Sequence, residues 1–340
     1  MEPIGDAISM KNRQEIRSIL IILPNWLGDA VMATPAIEAL CEFYPHAKLT
    51  LVGSFVAIEA LKYHPFCHRH YIDETKKSGS RLLNTFAFAK TIGRHDIAVS
   101  FRNQLHASLL LRLTGSTVTI ARDSWHASLL LTLHPQIRKG HLVEQYIALI
   151  EALTQQEVPE ISALRLFIEP HRYQRATLGI NPGATYGSAK RWYPEKFARV
   201  AVHYAKEYNI VIFGGPNETE MAQAIEVELL SLGVSNFTNL AGKTSIKELC
   251  AHIGGLSLFV TNDSGPMHVA AAYQVPTVSI FGPTRHLETS QWKNRRSAIV
   301  RHDLECAPCM KRECPLKHHD CMKKIEAEEV IEAIDTLLQR

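Results

Sequence analysis

Short apolar runs alternate with stretches of helical period along the whole chain. Residues 16–23 read I-R-S-I-L-I-I-L, the pattern of a buried parallel strand. After a break at Pro24-Asn25-Trp26-Leu27-Gly28-Asp29, residues Val31, Ala36, Ile37 and Leu40 share one face of a helix over 30–43. Pro35 marks a kink or restart in it, with Thr34 as cap. Strands follow at 48–52, 69–72, 96–100 and 117–120, with helices at 56–63, 81–92 and 105–113. The segment 122–141 is irregular and basic, a solvated loop or a surface for an anionic partner. An amphipathic helix at 142–153 and a polar stretch at 154–160 close this half.

The second half repeats the plan. Strands are expected at 177–181, 209–213, 237–241, 259–261 and, last, 276–281. Helices are expected at 194–208, 219–232, 245–253 (with Ser245 as cap) and from 265, then a closing amphipathic helix over 325–338. Such alternation predicts an α/β fold with parallel sheets covered on both faces. Two domains are expected, 1–165 and 175–320, with 321–340 as a C-terminal helical tail.

Three loops of the second half follow strand ends, where open α/β sheets bind ligands. Pro182-Gly183-Ala184-Thr185-Tyr186-Gly187-Ser188-Ala189-Lys190-Arg191-Trp192 combines glycines, hydroxyls and two cations, a phosphate cradle or else a solvated loop. Gly214-Gly215-Pro216-Asn217-Glu218-Thr219-Glu220 offers a carboxylate for ribose hydroxyls, or simply an acidic first turn. Thr261-Asn262-Asp263-Ser264-Gly265-Pro266-Met267-His268-Val269-Ala270-Ala271-Ala272 reads as a strand end, a tight turn and a helix of small residues. Its helix start suits a phosphate; alternatively Asp263 or Ser264 merely caps it. Together the three loops suit a nucleoside diphosphate. In the first half, Asp29 serves as general base if it faces a second cleft wall, or as a helix N-cap. The loop before it lacks G-x-G-x-x-G and the Lys-Ser/Thr of a P-loop, which disfavours a dinucleotide site.

A net charge of +3, from 37 basic and 34 acidic residues, does not suit a general nucleic-acid binder. Seventeen His and local basic clusters still allow an acidic substrate. No apolar run is long enough to span a bilayer. The polar stretch 1–14 is unlike a signal peptide, so a cytoplasmic protein is expected. Seven Cys fit reduced thiols better than a disulfide framework.

W-L-G-D-A-V-M-A-T-P-A-I (26–37), P-G-A-T-Y-G-S-A-K-R-W (182–192), F-G-G-P-N-E (213–218) and T-N-D-S-G-P-M-H-V-A-A-A (261–272) resemble the lipopolysaccharide heptosyltransferases over nearly the whole chain. The resemblance implies a GT-B fold: two Rossmann-like domains facing across a cleft, with the C-terminal helix crossing back to the N-domain. It implies inverting, metal-independent transfer of L-glycero-D-manno-heptose from ADP-heptose to the first heptose of the inner core. The acceptor would be heptosyl-Kdo2-lipid A, reached by peripheral contact with the inner leaflet of the inner membrane; no cofactor and no nucleic acid are implied.

By the same resemblance Asp29 would be the general base, and Lys190 would neutralise charge on the departing diphosphate. Thr185 and Tyr186 would line the phosphates, and Ser264, Gly265 and Pro266 would set the helix start on them, with His268 nearby. Asp263 would hold heptose hydroxyls. Glu218 or Glu220 would hold ribose, and Thr244 falls at adenine. Gly28, Asn103 and Arg122 fall on the acceptor side. Type I members carry Ser and Met before the Gly-Asp, where this chain has Asn25-Trp26-Leu27, so its acceptor pocket differs from theirs. A type I or III transferase and a nucleotide-sugar epimerase of the same architecture are the alternatives; the L-G-D motif on the other domain argues against the epimerase. A non-catalytic nucleotide-sugar-binding protein would not need both Asp29 and Lys190. Cys306, Cys309, Cys314 and Cys321, with His318 and His319 between, carry zinc-ligand chemistry at a spacing that is not a standard finger. Reduced thiols packing a small lobe, or a metal-free signature of the family, are the other readings.

Overall fold

The computed structural model describes residues 14–77 and 79–339. Residues 1–13, on which the expectation of no signal peptide chiefly rests, lie outside them. The chain divides into two compact units, Met1–Phe167 and Ile168–Arg340.

In the first unit β1 (Ser18–Ile22), β2 (Lys48–Gly53), β3 (Cys67–Ile72), β4 (Ile97–Ser100) and β5 (Val118–Ala121) form one sheet, in the order β3-β2-β1-β4-β5. Every pairing is parallel. Seven helices are described with it: α1 (Leu27–Met32), α2 (Thr34–Phe43), α3 (Phe55–Leu61), α4 (Arg81–Ile92), α5 (Leu105–Leu113), α6 (Trp125–Leu130) and α7 (Leu142–Thr154). The chain steps from β1 to β3 in one direction and then through β4 to β5 in the other. Right-handed crossovers therefore put α1 to α3 on one face and α4 and α5 on the other. The contacts agree: α1 touches α3, α4 touches α5, and α5 touches α6. Central strand β1 is buried on both faces from Ile19 to Ile22, so it reads as a continuous apolar run.

The second unit holds β6 (Thr177–Asn181), β7 (Asn209–Ile212), β8 (Phe237–Asn239), β9 (Leu258–Asn262), β10 (Thr277–Ile280) and β11 (Ser297–Val300), in the order β11-β10-β9-β6-β7-β8. These pairings are also parallel. Its helices are α8 (Pro194–Tyr204), α9 (Thr219–Ser231), α10 (Ile246–Gly254), α11 (Gly265–Ala272), α12 (His286–Thr289), α13 (Asp320–Lys323) and α14 (Ala327–Leu338). α14 packs on α8, β10 and β11, burying Val330, Ile334 and Leu337. The buried Trp192 donates from Nε1 to the Ile325 carbonyl at 3.0 Å. Lys196 donates to the carbonyls of Lys323 and Ile325 at 2.6 and 2.7 Å. These bonds pin the chain before α14 to the end of the 182–192 loop.

Several details differ from the sequence reading, the short helices α12 and α13 among them. The helix expected over 30–43 is two, α1 and α2. Thr34 is not a cap: Ala33 holds the N-cap of α2, and the Thr34 hydroxyl donates to the Val31 carbonyl at 2.7 Å. The basic segment contains α6, capped by Ser124, whose hydroxyl accepts from the Ala127 amide. α6 is only six residues long and buries just His126 and Ala127, too little for a periodic signal. The last strand is β11, a four-residue edge strand that is mostly half-buried. Among the described residues no helix is long and apolar enough to cross a membrane.

Ile334→Ala should empty a fully buried site beneath α14 and cost about 2–5 kcal/mol in chemical denaturation. Glu332→Ala, on the same helix, should stay within about 0.5 kcal/mol. Equal effects would mean that α14 is not part of the second unit's core.

Candidate active site

In the second unit β6 and β9 are neighbours, and the chain changes its direction across the sheet between them. This is a topological switch point, the place where such sheets leave a crevice at their carboxyl ends. Buried Asn181 ends β6, and its Nδ2 donates to the Gly183 carbonyl, Thr261 Oγ1 and Ser264 Oγ at 3.2, 3.3 and 3.2 Å. Buried Asn262 ends β9; its Nδ2 donates to the Pro182 carbonyl at 2.7 Å, and its Oδ1 accepts from the Trp192 amide at 3.1 Å. The two asparagines thus lock the first and third loops together. Ser264 stands at the N-cap of α11 without a side-chain cap bond, its hydroxyl being engaged with Asn181 and Thr261 instead. Gly265 and Pro266 open the helix half-buried, and His268 is buried within it. The start of α11 keeps the polarity that favours an anion.

Lys190 ends a 3-10 turn over Ser188–Lys190. Its Nζ lies 2.5 Å from Asp263 Oδ2 and 3.3 Å from the Asp263 carbonyl. Thr284, in the turn after β10, donates to the same Oδ2 at 2.5 Å. The side chains of the ion pair are 13 % and 4 % exposed, so the ammonium is held at one place by a desolvated carboxylate. Asp263, expected on heptose hydroxyls, here has its Oδ2 engaged by Lys190 and Thr284. Thr284 was not singled out from the sequence; the only signal was its place after the Gly282-Pro283 turn.

Two cations approach the Tyr186 ring, Lys190 Nζ at 4.9 Å and the Arg312 guanidinium at 5.5 Å from its centroid. Its hydroxyl donates to the Met310 carbonyl at 2.8 Å. The Ala189 amide donates to the Arg312 carbonyl at 3.0 Å. His319 donates from Nε2 to the Ala189 carbonyl at 2.9 Å and bonds the Tyr193 hydroxyl through Nδ1 at 3.1 Å. The Cys-rich stretch is therefore a buttress for the Lys190 turn. Its cysteines are free thiols. Burial, then the neighbouring Cys309, Cys306 and Cys314, push the Cys321 thiol up to about 11. Among the described residues no group of three or more His, Cys, Asp or Glu side chains could hold a metal ion.

The two glutamates of the second loop sit in different surroundings. Glu218 is buried and accepts from the Gly215 amide at 2.7 Å. Its carboxylate rests on Gly183, where a methyl group would come within 2.0 Å of it. Glu220 is exposed on α9. Thr185 is exposed, and Thr244 is half-buried just before the Ser245 cap of α10.

In the first unit Gly28 and Asp29 lie in the first turn of α1, Gly28 buried and Asp29 half-buried. Trp26 holds the N-cap, so Asp29 is not the cap. Burial and then the Asp29 charge push the Tyr146 hydroxyl of α7 well above its ordinary value, which keeps it protonated beside the carboxylate. The switch point here lies between β1 and β4. Arg102, beyond β4, donates from Nε to the Leu23 carbonyl at 2.5 Å and from Nη1 to Asp73 Oδ2 at 3.1 Å. Its Nη2 is buried with no hydrogen-bond partner among the described residues. Burial raises the Asp73 carboxyl, but bonds from Thr75 and the charges of His106 and Arg102 outweigh it and hold the group below its usual value. Sequence reasoning chose the exposed Asn103 and passed over its buried neighbour. Arg122 is committed in part to Gln145, at 2.9 Å.

Gly183→Ala should displace the Glu218 carboxylate. ADP affinity is expected to fall about 10- to 100-fold, the scale of one charged hydrogen bond, when measured by calorimetry. Unchanged affinity would remove Glu218 from the nucleotide site.

The sequence profile of glycosyltransferase family 9 (heptosyltransferase) matches residues 85–319. Lipooligosaccharide heptosyltransferase 2 of Campylobacter jejuni is 38 % identical over 329 residues, covering 94 % of this chain and 98 % of that one. Lipopolysaccharide heptosyltransferase 3 of Escherichia coli is 28 % identical over 334 residues, covering 92 % and 96 %. The structure of E. coli ADP-heptose LPS heptosyltransferase II superposes with a TM-score of 0.80 at 23 % identity, over 95 % of this chain and 98 % of that one, so the fold is shared. The chain belongs to glycosyltransferase family 9, the heptosyltransferases.

Proposed function

We propose that this heptosyltransferase moves L-glycero-D-manno-heptose from ADP-heptose to the first heptose of the lipopolysaccharide inner core, with inversion and without a metal. The observation that carries the donor half is the meeting of Lys190, the uncapped start of α11 and the inward carboxylate of Glu218 at one switch point. An ammonium and a helix N-terminus answer a diphosphate, and a carboxylate answers ribose hydroxyls. The 38 % identity to a heptosyltransferase 2 carries the choice of acceptor.

In the proposed reaction the acceptor oxygen attacks the anomeric carbon from the face opposite ADP. The bond from that carbon to the diphosphate oxygen breaks, and its electron pair leaves with ADP. Asp29 takes the acceptor proton. Lys190 meets the charge developing on the leaving oxygen, and Asp263 with Thr284 keeps its ammonium in position. Tyr186 and Thr185 line the phosphates, with His268 behind them, and Thr244 lies toward adenine. Gly28, Asn103 and Arg122 are the proposed acceptor contacts. The unpaired Nη2 of Arg102 adds a buried donor at that sheet edge, suited to an acceptor oxyanion. The acceptor is a membrane lipid, so the protein works in peripheral contact with the cytoplasmic leaflet.

Asp29→Ala should lower single-turnover transfer about 10²- to 10⁴-fold, the range of a lost general base, with ADP-heptose binding retained. Full activity in the variant would remove Asp29 from the chemistry. Parallel loss of donor binding would make its role structural.

A further inference from the structure

Helix α4 carries large apolar side chains on its outer face as well as its inner one, where Phe88 packs on the core. It buries Thr85, Ala89 and Ile92 against the sheet, while Leu82, Leu83 and Phe86 are exposed. A surface helix ordinarily keeps polar side chains on that outer face. The neighbouring helices repeat the pattern at the same end. Leu105 opens α5 exposed, and Trp125 opens α6 at 71 % exposure, with Leu129 one turn on at 76 %. α4 and α5 each follow a strand of the parallel sheet to the next, and α6 follows β5, so all three start at the carboxyl rim. α4 touches α5 and α5 touches α6, so the six side chains crown adjacent helices on one rim. Large apolar side chains gathered this way mark an interaction surface rather than scatter.

The charge around them selects the partner. α4, α5 and α6 contain no acidic residue. Lys76 and Arg81 are exposed where the chain enters α4, and Glu74 in the same loop is taken by Lys77 at 2.6 Å. Aromatic and leucine side chains beside cations with no ion pair among the described residues fit the boundary of an anionic bilayer, where rings and alkyl groups enter the acyl edge and cations meet phosphates. We propose that the α4–α5–α6 rim of the first unit is the surface by which this protein docks on an anionic lipid bilayer. The inference rests on the reading above that the acceptor is a membrane lipid, and it names the face that meets that membrane.

The test uses the full chain and vesicles of phosphatidylethanolamine and phosphatidylglycerol without acceptor. Wild type should sediment with them. Leu83→Ser, Phe86→Ser and Leu129→Ser combined should sediment about tenfold less or weaker still, and Lys76→Gln with Arg81→Gln should remove the salt-sensitive part. Transfer to a deacylated, water-soluble heptosyl acceptor should be unchanged in the triple variant, whereas transfer to vesicle-embedded acceptor should fall. A single Leu129→Ser variant should show a smaller loss of the same kind. Sedimentation of the triple variant equal to wild type would overturn the proposal. So would loss of transfer to the soluble acceptor, which would make the rim part of the acceptor site or the fold. A wild-type dimer that the triple variant dissolves, with vesicle binding unchanged, would assign the face to self-association and also overturn it. Wild type that binds vesicles through this rim yet transfers heptose to neither acceptor would refute the acceptor reading and leave the docking surface standing.

Discussion

Asn181 and Asn262 end two adjacent parallel strands, and burial leaves their amides only protein groups to bond. An unsatisfied buried amide costs roughly 1–3 kcal/mol, so the loops around them have little freedom. Asn181 draws Gly183 and Ser264 to one point, and Asn262 draws Pro182 and Trp192. The rest of the proposed donor site is hung on that lock. The Lys190 turn lies between Gly183 and Trp192, and Asp263 follows Asn262 directly. The ion pair between them is therefore short because both backbones are already placed. The Cys-rich stretch completes the clamp from the other side, through Arg312, Met310 and His319.

The first unit solves a like problem with charge. Arg102 spans from the end of β4 to the end of β1 and to Asp73 beyond β3. A buried guanidinium with a carboxylate on one side and a carbonyl on the other fixes three strand ends at once. It also fixes the start of the chain that runs through Asn25 to Asp29. The two units thus use one sheet plan, and candidate site residues stand beside the switch point of each. They differ in what they present: cations and a helix start in the second, a carboxylate and the Arg102 Nη2 group in the first.

Much of this was legible from sequence, and the exceptions have physical causes. Central strands such as β1 and β9 are buried on both faces, so their apolar runs announce them. The three donor loops carry glycines, hydroxyls and charges at strand ends, so their convergence could be inferred from alternation alone. α6 and β11 were missed because six and four residues are too few for a period to register. Thr284 and Arg102 were missed because a threonine after a turn and an arginine after a strand look alike whether solvated or buried; only their partners, Asp263 and Asp73, distinguish them. Glu218 and Glu220 could not be separated by spacing. In the structure their surroundings differ: the Glu218 carboxylate lies against Gly183, and Glu220 is exposed. The outward leucines of α4 read from sequence as ordinary helix, since period alone does not say which stripe faces the sheet.

The most direct test of heptose transfer to an already heptosylated core is product analysis. ADP-heptose would be incubated with Kdo2-lipid A bearing either one heptose or none, and the products read by mass spectrometry and NMR. One heptose added to the heptosylated acceptor alone, in a linkage inverted relative to the donor, is the predicted result. Addition to the acceptor that bears no heptose, or a linkage of retained configuration, would contradict it.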